Sequence, residues 1–153
     1  MRLVNEFTIT KVNDLDTQML TLLVEESKSE GFRHLNRLVT EYDAGTNKFD
    51  KEGEALFLAI NRSDIVGVCA LNQDPYSVIK EIGRVRRMYV APHVRRFGVG
   101  RMLMESVIAE ARNRYRILEL KTDNPVADLF YQSMGFSVNF DLGNDTTHYL
   151  RLN

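Results

Sequence analysis

The chain has no tryptophan, one cysteine, three prolines and three histidines among its 153 residues. One cysteine excludes a disulfide framework and a cysteine zinc site. Cys69 stands in the apolar run Ile65 to Leu71, where a free thiol packs as a small hydrophobe on a buried strand. His34, His93 and His148 are scattered without ligand spacing, so no metal is expected. An excess of one charge is also missing: 20 basic and 21 acidic residues leave a formal charge of −1. That balance argues against a dedicated nucleic-acid binder. No segment approaches the roughly 20 apolar residues needed to cross a bilayer, and Met1 to Phe7 lacks the apolar stretch of a secretion signal. We expect no membrane partner and a cytoplasmic location. Repeats, low-complexity tracts and linkers are absent too, and the most polar stretch, Tyr42 to Glu54, reads as a surface loop.

What is present suits one globular domain spanning residues 1–153, with 44% hydrophobic and 27% charged residues. Phe7 to Val12 alternates as a half-buried strand. Met19, Leu22 and Leu23, then Phe32, Leu35, Leu38 and Val39, recur at helical spacing on either side of a break at Gly31. Ala55–Ile60 and Ile65–Leu71 flank Asn61–Asp64, a turn composition, and predict an antiparallel hairpin. Arg84 to Val90 predicts a strand closed by Ala91-Pro92. From Val99 to about Arg114 the period becomes helical, with Val99, Met102, Leu103, Val107 and Ala111 on one face. A strand at 117–122, a helix at 126–134 stopped by Gly135, and strands at 136–140 and 147–152 complete the order β, α, α, β, β, β, α, β, α, β, β. An antiparallel hairpin followed by alternating strands and helices implies an α/β fold with a mixed sheet covered on both faces.

The most informative segment joins a strand to the long helix: Val90-Ala-Pro-His-Val-Arg-Arg-Phe-Gly-Val-Gly-Arg101. Gly98 and Gly100 allow close backbone approach, and the first helical turn presents free N–H groups at the positive end of the helix dipole. Six arginines and no acid lie between Glu81 and Glu105. A phosphate-bearing ligand fits this local charge. The plainer reading is a helix cap beside a solvated basic surface. A P-loop and a dinucleotide fingerprint are both excluded by missing residues.

Arg95-Arg-Phe-Gly-Val-Gly100 resembles the Arg/Gln-x-x-Gly-x-Gly/Ala motif of the GNAT superfamily of N-acetyltransferases, and it follows Arg87-Met-Tyr-Val-Ala-Pro92, similar to the strand before that motif. Asn124-Pro-Val-Ala-Asp-Leu-Phe-Tyr131-Gln-Ser-Met-Gly135-Phe136 is similar to a second signature, in the family's order. The resemblance implies a central mixed sheet of six to seven strands flanked by about four helices. It implies acetyl-CoA as co-substrate, with its pyrophosphate on the amides of Arg96, Phe97, Gly98, Val99, Gly100 and Arg101 and charge lent by Arg95 or Arg96. The cofactor arm would run along Met88, Tyr89 and Val90 in a wedge between splayed strands. Asn124 would bond that arm or hold its own loop, and is otherwise an ordinary turn residue.

Acyl transfer to an amine needs a neutral nucleophile, a stabilised oxyanion and a proton for the leaving thiolate. The resemblance implies direct attack in a ternary complex. Tyr131 would be the acid, or would simply pack beneath the cofactor, and a backbone N–H near Val90 would polarise the thioester. The position where several members carry a glutamate falls on Arg84, and a guanidinium cannot accept a proton. Glu81, Glu119 or a water chain are the substitutes. Arg84 and Arg86 share strand parity and either bind a carboxylate on the acceptor or lie on a solvated face. The acceptor is expected to be a small-molecule amine, with a peptide amine or a non-catalytic acyl-CoA sensor as alternatives. Dimers are common in the family, and these residues favour neither a homodimer nor a monomer.

Overall fold

The computed structural model describes residues 6–140 and 145–153. Its strands are β1 (Phe7–Lys11), β2 (Ala55–Asn61), β3 (Asp64–Gln73), β4 (Ile82–Val90), β5 (Ile117–Leu120), β6 (Ser137–Val138) and β7 (His148–Arg151). Its helices are α1 (Thr21–Ser29), α2 (His34–Ala44), α3 (Val99–Ala111) and α4 (Pro125–Ser133), with 3-10 turns at Thr17–Leu20 and Pro92–Phe97. The strands form one seven-stranded sheet in the order β1-β2-β3-β4-β5-β7-β6. Neighbours are antiparallel except β4 and β5, which run parallel. This is the mixed, helix-flanked sheet that the element order predicts.

The two faces are covered by different helices. Val99, Leu103, Met104, Val107 and Ala111 of α3 are fully buried, and Met104 Sδ lies 4.0 Å from Cys69 Sγ, which fixes α3 on the Cys69 face of β3. Tyr89, paired with Val68, takes the other face and meets Glu30 just past α1 and the Phe32 and His34 rings before and at the start of α2. Because side chains alternate across a sheet, the residues of β4 are divided between these two environments.

Local chemistry explains most boundaries. Gly45 ends α2 at φ 77° and returns its N–H to the Tyr42 carbonyl, and Gly31 at φ 88° separates α1 from α2. Asn124 caps α4, accepting from the N–H groups of Val126 and Ala127, with Pro125 at the first helical position. Tyr115, buried after α3, donates its hydroxyl to the Gly53 carbonyl at 2.7 Å. Its ring lies so close to β4 that a Cβ at Gly83 would sit 2.6 Å from Cδ2, and one at Gly53 would sit 2.6 Å from the phenolic oxygen.

Two expectations are corrected. Tyr42 to Glu54 is not wholly a surface loop, since Tyr42 is in α2 and accepts from the Leu15 N–H through its buried hydroxyl, while Phe49 is buried in the core. The strand expected over 136–140 shortens to Ser137–Val138, because Phe136 is buried beside Tyr131 and Phe140 projects into solvent.

Candidate active site

β4 is paired with β5 only at Ile82, Gly83 and Arg84, opposite Ile117, Leu118 and Glu119. From Val85 to Val90 it runs on without a β5 partner among the described residues. The cause of the divergence is local. Ala70 faces Arg86 and Val68 faces Tyr89, so Cys69 alone opposes both Arg87 and Met88, a β-bulge with Arg87 at φ 59°. A bulge bends and twists its strand, which turns the end of β4 away from β5 and leaves backbone groups open in the fork.

The chain leaves this fork through Pro92–Phe97 into α3. Gly98 takes φ 79°, with nothing within 4 Å of where a Cβ would stand. Gly100 is tight: a Cβ there would lie 3.3 Å from Met88 Cε and 3.5 Å from the Phe130 ring. The first helical bond of α3 runs from the Met102 N–H to the Gly98 carbonyl, and no side chain caps the helix. The amides of Val99, Gly100 and Arg101 therefore face outward at the positive end of the helix, with no acid in the first turn.

The arginines of this loop differ. Arg95 is committed elsewhere: its guanidinium binds Glu30 at 2.9 and 2.5 Å, its Nε donates to the Val90 carbonyl, and it stacks on Tyr89. Arg95 holds the Glu30 carboxyl below the usual range, and the hydroxyl of Tyr89 adds to this. Of the expected charge donors, Arg96 and Arg101 are exposed and have no hydrogen bond or ion pair among the described residues.

Tyr131 lies on α4, packed by Phe130, Phe136 and His148, and the adjacent Phe130 ring is the one that closes on Gly100. Gly100 meets both Phe130 and Met88 of β4, so α4 is packed at the open end of β4. Burial raises the pKa of Tyr131 far above that of a free tyrosine, and its hydroxyl has no hydrogen-bond partner among the described residues. It is a protonated phenol with its proton unused. His148, behind it, bonds Asp128 at 2.6 Å and Thr147 at 2.8 Å and ties α4 to β7.

Other expected residues are placed differently. Glu81 precedes the first residue of β4, at the end of the strand opposite Val90, where it is exposed and 3.6 Å from Arg116. The structure does not bring it to the open end of the fork near Val90, because the length of β4 intervenes. Arg84 is 5% exposed and occupied: Asp74 lies 3.7 Å away, Thr146 Oγ1 accepts at 3.4 Å, the Asp145 carbonyl accepts a second bond, and the Tyr76 ring covers it. It is not free for an acceptor carboxylate. Glu119 joins the same cluster through Thr146 at 3.1 Å, and burial with a hydrogen bond to Asp74 pushes its pKa up. Asn124 spends its side-chain oxygen on the α4 cap. Sequence reasoning missed Glu30, Asp74, Asp128 and His148, whose partners lie far away along the chain. Among the described residues no three or more His, Cys, Asp or Glu gather as a metal site, and no helix is long and apolar enough to cross a membrane.

Comparison with known proteins agrees with this arrangement. Residues 52–138 match a family model described as an acetyltransferase (GNAT) domain. A crystal structure of a protein described as an acetyltransferase from Exiguobacterium sp. 255-15 is 31% identical, with a TM-score of 0.85 over 95% of this chain and 93% of that one. A GNAT-family acetyltransferase from Streptococcus pneumoniae shares the fold at 20% identity and a TM-score of 0.76, over 97% of this chain and all of its own. So does a Salmonella typhimurium protein solved with its cofactor acetyl-CoA, at 17% identity and a TM-score of 0.70, over 97% and 95%. No protein of curated function matches the sequence.

Proposed function

Because the chain belongs to the GNAT acetyltransferase family, we propose that it transfers an acetyl group from acetyl-CoA to a primary amine, by direct attack in a ternary complex, with a small molecule as acceptor. The observation that carries this reading is the coincidence of three features: the β4–β5 fork, the uncapped start of α3 beside it, and Tyr131, with a hydroxyl unpartnered among the described residues, on the helix packed against both. On this reading residues 1–153 act as one catalytic domain.

The residues present fit the co-substrate. Open space over Gly98 lets a pyrophosphate reach the amides of Val99, Gly100 and Arg101, with Arg96 and Arg101 adding charge. The open edge of β4 from Met88 to Val90 offers its backbone to an amide-bearing arm, as a sheet edge accepts another strand. Acetyl-CoA supplies an activated carbonyl and a thiolate leaving group. As the C–N bond forms and the C–S bond breaks, Tyr131 gives its phenolic proton to the departing sulfur. The ammonium proton of the tetrahedral intermediate leaves to water, since Glu81 is remote and Arg84 cannot accept it, and water returns a proton to the Tyr131 phenolate after CoA departs.

The test is steady-state release of free CoA from acetyl-CoA across polyamines, aminoglycosides, amino acids and amino-terminal peptides. We expect turnover with one class of amine. Tyr131→Phe should lower kcat by about 10²-fold, the small end of general-acid effects, with little change in stability because the hydroxyl has no partner among the described residues to lose. Tight binding of acetyl-CoA with no turnover on any class would replace this reading with a sensor.

A further inference from the structure

Three guanidiniums crowd the α1–α2 side of β4 where it parts from β5. Arg84 is held by Asp74, Thr146 and the Asp145 carbonyl, and Arg87 is held by Glu41 at 2.9 Å. Arg86 lies between them, half-buried, and has no hydrogen bond or ion pair among the described residues. It shares the sheet face of Arg84 and sits two residues beyond the last β4–β5 pair, opposite Ala70. Burial and repulsion from Arg87 and Arg84 make its charge costly, and Glu41 offsets this only in part. The neighbouring carboxylates are already spent: Asp74 on Arg84 and Glu119, and Glu41 on Arg87. A half-buried cation with unmade hydrogen bonds beside a reaction fork is costly unless something binds it.

We propose that Arg86 anchors a carboxylate on the acceptor, which makes the natural acceptor an amine that also carries a carboxylate, an amino acid in its simplest form. This rests on the acetyltransferase reading above. The planar guanidinium fork matches a carboxylate in two-point contact, and Arg84, fixed from below by Asp74 and covered by Tyr76, braces the neighbouring position. The cross-strand neighbour of Arg86 is Ala70, whose methyl cannot pair with the guanidinium.

The experiment compares α- and ω-amino acids with the amide or the decarboxylated amine of each, in two readouts: CoA release with acetyl-CoA, and calorimetric binding of the amine with CoA present. Carboxylate acceptors are expected to exceed their neutral partners at least tenfold in kcat/KM. Arg86→Ala should remove about 10²-fold, mostly through KM, while changing the neutral partners less than threefold, and Arg86→Lys should restore part of the loss. Equal behaviour of carboxylate and neutral amines in both readouts, or equal losses for both in Arg86→Ala, overturns the proposal. Carboxylate binding that depends on Arg86 but comes without turnover would retain the anion site and refute acetyl transfer instead. Turnover confined to neutral amines would do the reverse.

Discussion

Gly98 holds a left-handed backbone at φ 79° with open space around it, so substitution there is a torsional matter and not a steric one. Gly98→Ala should cost about 1 kcal/mol of stability, measurable as a shifted denaturant midpoint, and should weaken acetyl-CoA binding in calorimetry by disturbing the first turn of α3. This glycine was legible in the sequence because the loop, its helix and its charges are contiguous. Glu30 was not, since it reaches Tyr89 and Arg95 across 59 and 65 residues. Alternation along β4 correctly placed Arg84 and Arg86 on one face, but parity names a face and not a partner. Only the fold reveals that Asp74 takes one guanidinium while, among the described residues, nothing takes the other.

At the scale of elements, the Glu30–Arg95–Tyr89 contact fastens the end of α1 to the end of β4 and to the turn leading into α3. Glu30→Ala should lower stability by about 1 kcal/mol, discounted because both charged groups are partly exposed, and should speed amide exchange from Glu30 to Arg33. Unchanged exchange there would show that the contact fastens nothing. Long periodic elements such as α3 were legible to within a few residues, because their burial follows their own spacing. The short β6 was not: the left-handed backbone of Gly135, at φ 98°, and the packing of buried Phe136 against Tyr131 determine where its pairing begins.

For the whole molecule, buried titrating groups set the pH range of stability. Burial, with Arg87 and Arg37 nearby, holds His34 neutral between the Phe32 and Tyr89 rings, its pKa lowered to about 4. The unfolded chain therefore binds more protons, and stability should fall as pH drops from 6.5 toward 4. Tyr115, pushed up to about 12, and Tyr89 and Tyr131, raised further, keep their protons when the unfolded chain would lose them, so stability should also fall as pH rises above 10. Thermal melts across pH would show a plateau between these limits, and His34→Phe should flatten the acid side. The mixed, helix-flanked character of the sheet followed from the order of elements, but contacts that cross the molecule did not. Tyr115 is the plainest case, filling the space that Gly53 and Gly83 leave vacant. Those three positions should therefore change together: a variant that gains a side chain at 83 must give up the ring at 115, and so loosens its hold on the chain entering β2.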